Sequence, residues 1–196
     1  FTSDTDGLNV AVGYFAGASS TTGTSNTLIG GLAGDAITTG SSNVAVGINS
    51  LGSNQAGSNS VAVGNGALFT QEGSGNMFNV GIGADAGYAV TSGIRNTLIG
   101  SLAGDSLTDA DSNIAIGYLA LSSDTLGSRS VAIGDGALDT QNFTTATNAY
   151  NVAVGHFAGD AVTTGVQNTL IGGLAGDAIT TGVQNTIVGY NNDVDT

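Results

Sequence analysis

The chain has 196 residues, of which 33 are glycine and none is proline or cysteine, and its formal net charge is −13, with only two cations, both arginines. Two isolated arginines, Arg95 and Arg129, cannot neutralise a run of phosphates, so the composition excludes a nucleic-acid partner. It also excludes disulfide frameworks and thiolate metal sites, and no apolar run of about 18 residues is present for direct membrane insertion by this segment.

A five-residue motif recurs eleven times along the chain. Copies begin at residues 9, 26, 43, 60, 79, 96, 113, 130, 151, 168 and 185, with a constant step except for two longer ones after Ser60 and Ser130. Numbering each repeat from its motif, position 1 is Asn or Ser, position 2 is Val, Ile or Thr, position 4 is Val or Ile, and position 5 is always Gly. Self-similarity at a spacing of about 17 residues predicts a tandem array.

Positions 2 to 4 predict a short strand that ends in a turn, where glycines such as Gly13, Gly30 and Gly47 adopt positive φ or let the backbone bend. The stretch after position 8, such as Ala36–Thr39, predicts a second strand. Two strands and two turns within each repeat predict one coil of a parallel β-solenoid. Eleven coils would form a rod of about 50 Å, with a ladder of asparagine side chains along it.

The fold class predicted from the repeat is all-β, a parallel β-solenoid of about eleven 17-residue coils. Residues 1–196 form a single β-solenoid domain in this interpretation. A longer period groups the coils into four-coil units at residues 9–78 and 79–150 and a partial unit at 151–196. The coils starting at 60 and 130 share the pattern SVAxGxGALxTQ and carry the insertions.

Three consecutive apolar positions predict an exposed apolar stripe, because the strand turns one face away from its own coil. If Val10 and Val12 point into the coil, Ala11 points out of it. A stripe of this length is rare on monomers, so a homo-oligomer is expected to bury it on a symmetry axis. The predicted interface consists of the residues at position 3, namely Ala11, Leu28, Ala45, Ala62, Leu98, Ala115, Ala132, Ala153, Leu170 and Ile187.

The motif resembles that of a known family, most closely in SVAVG at Ser60–Gly64 and SVAIG at Ser130–Gly134. These segments are similar to the SVAIG repeat of the YadA-like heads of trimeric autotransporter adhesins, and related rolls are found in bacteriophage tail fibres. The resemblance implies a left-handed parallel β-roll in which three chains share one axis, with position 3 facing that axis. It also implies an extracellular location, at a cell surface or on a virion.

The sequence offers few residues for catalysis, so neither an enzyme nor a cofactor is predicted. His156 is the sole histidine and occupies a variable position. Asp160 and Asp177 would stack on adjacent coils, and Gly81–Asp85 fits the GxGxD pattern of calcium-binding β-rolls. Solvated turn aspartates are the favoured interpretation, so no metal site is predicted.

Two surface features remain open. Paired threonines such as Thr38-Thr39 suggest an ice-binding array, which other coils interrupt. The insertions Gly73–Phe78 and Asn142–Tyr150 carry aromatic side chains that either contact a receptor or fold back over the next coil. The possible receptor contacts are Phe78, Phe143 and Tyr150.

The sequence therefore predicts a non-enzymatic, extracellular structural or adhesive rod. It would be the head segment of a trimeric adhesin or of a phage tail fibre, a homotrimer presenting a surface to an unknown protein or glycan receptor. A self-assembling extracellular filament is the alternative, followed by an ice-binding solenoid.

Overall fold

The computed structural model describes residues 7–193, which contain fifteen short strands and no helix long enough to cross a membrane. Most strands are three residues long because glycine ends each apolar run. The strands are β1 Val10–Val12, β2 Thr27–Ile29, β3 Val44–Val46, β4 Ala56–Ser58, β5 Val61–Val63, β6 Ser74–Asn76, β7 Val80–Ile82, β8 Thr97–Ile99, β9 Ile114–Ile116, β10 Gly127–Ser128, β11 Val131–Ile133, β12 Thr147–Asn148, β13 Val152–Val154, β14 Thr169–Ile171 and β15 Thr186–Val188.

The motif strands form one continuous parallel sheet of eleven strands, in the order β1-β2-β3-β5-β7-β8-β9-β11-β13-β14-β15. Each strand pairs in register with its equivalent one coil away, as Val10 with Thr27 and Ala11 with Leu28. The structure thus confirms an all-β parallel solenoid of about eleven coils. One sequence repeat is therefore the length of one turn of the chain around the rod.

The second strand predicted at Ala36–Thr39 is wrong, because these residues lie in turns and bends. The coils are instead linked there by single carbonyl groups: the oxygen of Thr38 accepts the N–H groups of Thr21, Thr22 and Gly23 at 3.0, 3.2 and 3.1 Å. Within residues 7–193, a second strand occurs only in each lengthened coil and in the coil before it, as β4 paired with β6 and β10 paired with β12. Along most of this side, hydrogen bonds clustered on single carbonyl groups therefore replace the regular pairing of two strands.

The orientation expected for the strands is also wrong. Position 3 points into the coil, where Leu28 and Ala45 are 2% and 0% exposed, while the neighbouring positions 2 and 4 face outward. Alternation along a strand puts position 1 on the same side as position 3, so Asn26 and Asn43 are buried as well. Each coil encloses positions 1, 3, 8, 9 and 12.

The asparagine ladder exists, but it runs mainly through the backbone. The side-chain oxygen of Asn26 accepts the N–H of Asn43 in the next coil at 3.0 Å, and its amide donates to the carbonyl of Gly40 at 2.9 Å. Asn43 repeats both bonds, to Ser60 and Gly57. Each buried asparagine therefore closes its own coil and joins it to the next.

Candidate functional site

The outward face of the long sheet is the most extended surface feature of the described residues. We define the outward face as positions 2 and 4 of β1, β2, β3, β5, β7, β8, β9, β11, β13, β14 and β15. Every one of these positions holds Val, Ile or Thr, and none holds a charged residue. Several side chains are well exposed, including Ile29 at 40% and Ile171 at 39%. A surface this uniform is typical of one that another protein chain covers.

Two rows of side chains border the outward face. The N-rim is the last residue of each repeat, just before position 1, and the C-rim is position 6, just after the position 5 glycine. The N-rim carries exposed Phe78, Tyr150 and both arginines of the chain; the C-rim carries exposed Tyr14, Ile48, Tyr118, His156 and Tyr190. Aromatic residues and arginine are enriched in protein interfaces, so the rims match the face they enclose.

The two arginines contact neutral partners within the chain. Arg129 donates to the side-chain oxygen of Asn148, and its guanidinium carbon lies 5.8 Å from the centre of the Tyr150 ring. Arg95 donates through Nε to the hydroxyl of Ser112 at 3.3 Å. Both guanidinium groups therefore remain available to an acidic partner from outside the chain.

The residues predicted as an oligomer interface lie instead inside the solenoid. All except Ala11, in the edge strand β1, are buried within the single chain and contribute to its core. The prediction failed because three successive apolar positions fit either orientation, and the buried side was assigned to positions 2 and 4. The buried residues at position 3 are Leu28, Ala45, Ala62, Leu98, Ala115, Ala132, Ala153, Leu170 and Ile187.

The insertions divide their aromatic residues between the core and the N-rim. Phe143 is only 6% exposed, so its assignment as a possible receptor contact is wrong; its ring folds back over the coil, close to Gly127. Phe78 and Tyr150 are 52% and 49% exposed and end their insertions on the N-rim. The first insertion is held in the core by Met77 instead, an anchor that the sequence analysis missed.

A buried glutamine repairs the asparagine ladder where serine interrupts it. Gln71 is fully buried, and its Oε1 accepts the Ser60 hydroxyl at 3.1 Å and the Asn79 amide at 3.0 Å. Gln141 occupies the equivalent place beside Ser130 and Asn151. The sequence signal for this pairing was present, because the two repeats that begin with Ser are the two that have Gln at position 12.

One carboxyl group is buried in the second of these networks. Asp124 is fully buried, and its Oδ1 accepts the N–H groups of Gly127 and Phe143, each at 3.0 Å. Its Oδ2 accepts the Gln141 amide at 2.6 Å. Burial raises the pKa of Asp124, and these donors act against that rise. The first unit has neutral Asn54 at this place, bonded to both backbone groups of Gly57.

Aspartates of neighbouring coils form an acidic ridge near position 10. Desolvation raises the pKa of Asp160, and the charges of Asp139 and Asp177 raise it further. The pKa of Asp177 is raised by desolvation and by Asp193. Asp160 and Asp177 therefore interact electrostatically, as their equivalent places in adjacent repeats predicted. Within residues 7–193, no three acidic or histidine side chains are grouped closely enough to hold a metal ion.

A shallow open cleft of about 360 Å³ is lined by Asp85, Tyr88, Leu102 and Asp105, the last of which is at position 10. Its Tyr88 ring stacks on Phe69 at 5.2 Å between ring centres. Desolvation raises the pKa of Asp105, and the charges of Asp139 and Asp85 add to the rise. Asp85, the acidic residue of the GxGxD segment, thus lies against one further carboxylate in this cleft.

The other candidates are simple surface features. His156 is exposed, and its ring meets the edge of Phe157 at 4.3 Å between centres. The threonine array is engaged in the fold on one side, since Thr21, Thr38 and Thr163 each donate a hydroxyl hydrogen to a carbonyl of the next coil. Those hydroxyl hydrogens are thereby withdrawn from surface water.

The chain matches no protein-family model, no curated protein and no solved structure.

Proposed function

We propose that the chain is a non-enzymatic extracellular rod whose copies associate through the outward face, as a segment of a trimeric adhesin head or of a phage tail fibre. Its role is to hold a receptor-binding surface at a distance from its anchor. Three copies around one axis would give each surface site threefold valency.

The observation that carries this proposal is the outward face, with Val, Ile or Thr at every place along eleven strands. The parallel sheet is about 50 Å long and, with both rims, about 23 Å wide. In a trimer each copy would divide an area of roughly 1,000 Å² between two neighbours, and the three copies together would bury roughly 3,000 Å², more than the about 1,600 Å² of a standard two-chain interface. Parallel sheets are normally covered on both faces, and one face here is covered by the core of the chain.

The resemblance to YadA-like heads supports three copies and a left-handed roll. Correcting the strand orientation moves the proposed shared surface from position 3 to positions 2 and 4, and the motif then has a consistent physical meaning. In SVAIG at Ser130–Gly134, Ser130 and Ala132 belong to the core of one chain, while Val131 and Ile133 belong to the surface shared by copies.

The proposal is tested by placing a charge in the middle of the outward face. In Ile116→Lys, a lysine would be desolvated at every copy-to-copy contact, so a trimer is expected to dissociate into folded monomers. Light scattering coupled to size-exclusion chromatography gives the mass, and circular dichroism reports the fold.

The matched control is Thr164→Lys, which places the same charge at an exposed position away from the sheet and should leave the mass unchanged. A wild-type chain that is monomeric at micromolar concentration would contradict the proposal. Fibres whose length grows with concentration would favour end-to-end filament assembly in its place.

A further inference from the structure

The strand β11 has opposite charges on its two sides. Arg129 lies on the N-rim two residues before Val131, and Asp135 lies on the C-rim two residues after Ile133. Both side chains are exposed. Because they flank the same strand, they lie at the same height along the rod, about 20 Å apart across the sheet. Arg129 is thus too far from Asp135 of its own chain to pair with it.

Two copies can contact each other through their outward faces in a parallel or an antiparallel arrangement, and the two arrangements bring different rims together. When copies are related by rotation about an axis along the rod, the N-rim of one meets the C-rim of the next at equal height. When they are antiparallel, related by a two-fold axis across the rod, the N-rim meets another N-rim. The second arrangement brings the two arginine-bearing rims together, where like charges repel.

We infer that Arg129 of one copy pairs with Asp135 of the next where their rims meet. The inference rests on the proposed association through the outward face, in which copies around one axis are parallel, and it names the side chains that select this direction and register. One coil further along, the same arrangement brings exposed Tyr150 against exposed His156, an aromatic contact at the same rim-to-rim junction. The neutral partners of Arg129 within the chain, Asn148 and Tyr150, lie on this same side.

The pair acts on specificity more than on affinity. An exposed ion pair stabilises by roughly 0.2–1 kcal/mol, whereas apolar burial along the outward face supplies most of the driving force. Yet Val, Ile and Thr repeat from coil to coil, so a shift of one coil leaves the apolar contact nearly unchanged. A charge pair at one height distinguishes the correct register from its neighbours.

Cross-linking tests the inference directly, because the chain has no cysteine of its own. Arg129→Cys and Asp135→Cys are prepared as single variants and as a double variant, and each is treated with a short bis-maleimide. Neither single variant should cross-link to itself. The two single variants folded together, and the double variant alone, should give covalent oligomers on a denaturing gel.

Every other outcome decides for or against the inference, the trimer or the proposed function. Self-cross-linking of Arg129→Cys would show like rims in contact and would overturn the inference. Absence of cross-links in an oligomer of confirmed mass would also overturn it. A monomeric wild-type chain would reject the proposed function itself, which the mass measurement shows separately. A covalent dimer as the largest product of the double variant would support the parallel register and contradict the trimer.

Two controls fix the register. Arg95→Cys combined with Asp135→Cys is offset by two coils, about 10 Å, and should cross-link far less than the in-register pair. Arg129→Glu and Asp135→Arg should each weaken association roughly five-fold at low salt, and the double charge reversal should restore it. Reversals that act independently of one another would contradict the pairing.

Discussion

Glycine at position 5 is the residue on which contact between coils depends. Gly30 has a φ of +140°, and a Cβ added there would lie 2.4 Å from the carbonyl oxygen of Gly47 in the next coil. Gly13 and Gly47 have the same conformation and the same close approach. Both the left-handed φ and the lack of space therefore require glycine, which explains why all eleven motifs end in it.

Replacing one position 5 glycine should destabilise the rod locally. Gly30→Ala is expected to lower the free energy of unfolding by roughly 2 kcal/mol or more, since it combines backbone strain with a clash against backbone atoms. Its neighbour Gly31→Ala is the control, because a Cβ there meets nothing within 4 Å. Urea denaturation of both variants measures the difference, and equal stabilities would contradict this account.

Asp124 and Asn54 show the same structural place occupied by a charged and a neutral side chain. Both accept the N–H of the glycine three residues later, Gly127 or Gly57. Only Asp124 brings a titratable group into a site without solvent access. The folded state therefore disfavours its charged form, in line with its raised pKa.

Asp124→Asn should stabilise the protein at neutral pH by at most roughly 1 kcal/mol, because the relief from burying a charge is offset by loss of the Oδ2 acceptor of the Gln141 amide. The expected gain shrinks as the pH falls toward the ordinary aspartate value of 3.8, because Asp124 of the wild-type protein is then increasingly protonated in both the folded and the unfolded state. Asn54→Asp is the reciprocal control and should destabilise at neutral pH. Thermal denaturation at several pH values measures both variants, and a gain that does not vary with pH would argue against the burial of a charge.

At the scale of the coil, two kinds of core layer recur at positions 3 and 9 within each four-coil unit. In one kind, a leucine at position 3 fills space left by glycine at position 9, as Leu98 does beside Gly104. In the other, alanine at position 3 faces leucine at position 9, as Ala115 does with Leu121 in the next coil. In the first coil of each unit both positions are instead small, as at Gly81 and Gly87, and Leu68 and Leu98 of the adjacent coils fill that space.

Exchanging the two side chains within one coil tests this complementarity. Gly104→Leu alone should overpack the coil, since a Cβ there already lies 2.8 Å from atoms of Leu98 and Leu107. Leu98→Ala alone should leave a cavity and destabilise by about 2–5 kcal/mol. The double variant should be more stable than the sum of the two effects by at least about 1 kcal/mol, and a double-mutant cycle that shows simple additivity would reject the idea.

For the whole molecule, the distribution of charge matters more than its total of −13. The pKa values of Asp105, Asp160 and Asp177 are raised by desolvation first and by neighbouring carboxylates second, and desolvation raises the pKa of Asp124. The pKa of Asp109 is lowered, because the hydroxyls of Ser92 and Thr91 bond its charged form. The folded state therefore binds protons more readily than the unfolded chain at most of the shifted sites.

The protein should accordingly become more stable as the pH falls from 7. Groups with raised pKa disfavour folding above their folded-state pKa, and this penalty disappears as they are protonated on the way down to 3.8. Asp109 acts in the opposite sense, and its contribution is lost only as the pH falls from 3.8 through its lower folded-state pKa. Thermal melts between pH 7 and pH 4 measure the trend, which added salt should reduce by screening the ridge. Melting temperatures that fall steadily with acidification would contradict it.

Much of the fold was accessible from the sequence because a tandem repeat reports its own geometry. The spacing of the motif predicted the length of one coil, and Gly30 and its equivalents predicted the turn that ends each strand. The equivalent places of Asp160 and Asp177 in adjacent repeats predicted that these side chains lie close together. The candidate surface was assigned to the wrong positions, because Ala, Leu, Val and Ile are all suitable for a core. Asn26 and Asn43 lie on the buried side because their amides are satisfied there by backbone groups.

The sequence by itself therefore determined the periodicity, the parallel register and the places where only glycine fits, since identical residues in successive coils must stack. Tertiary structure alone decided which side of each strand is inside, because alternation fixes only that position 3 opposes positions 2 and 4. It also decided that Phe143 is buried while Phe78 and Tyr150 are exposed, because no repeating pattern specifies how the insertions pack.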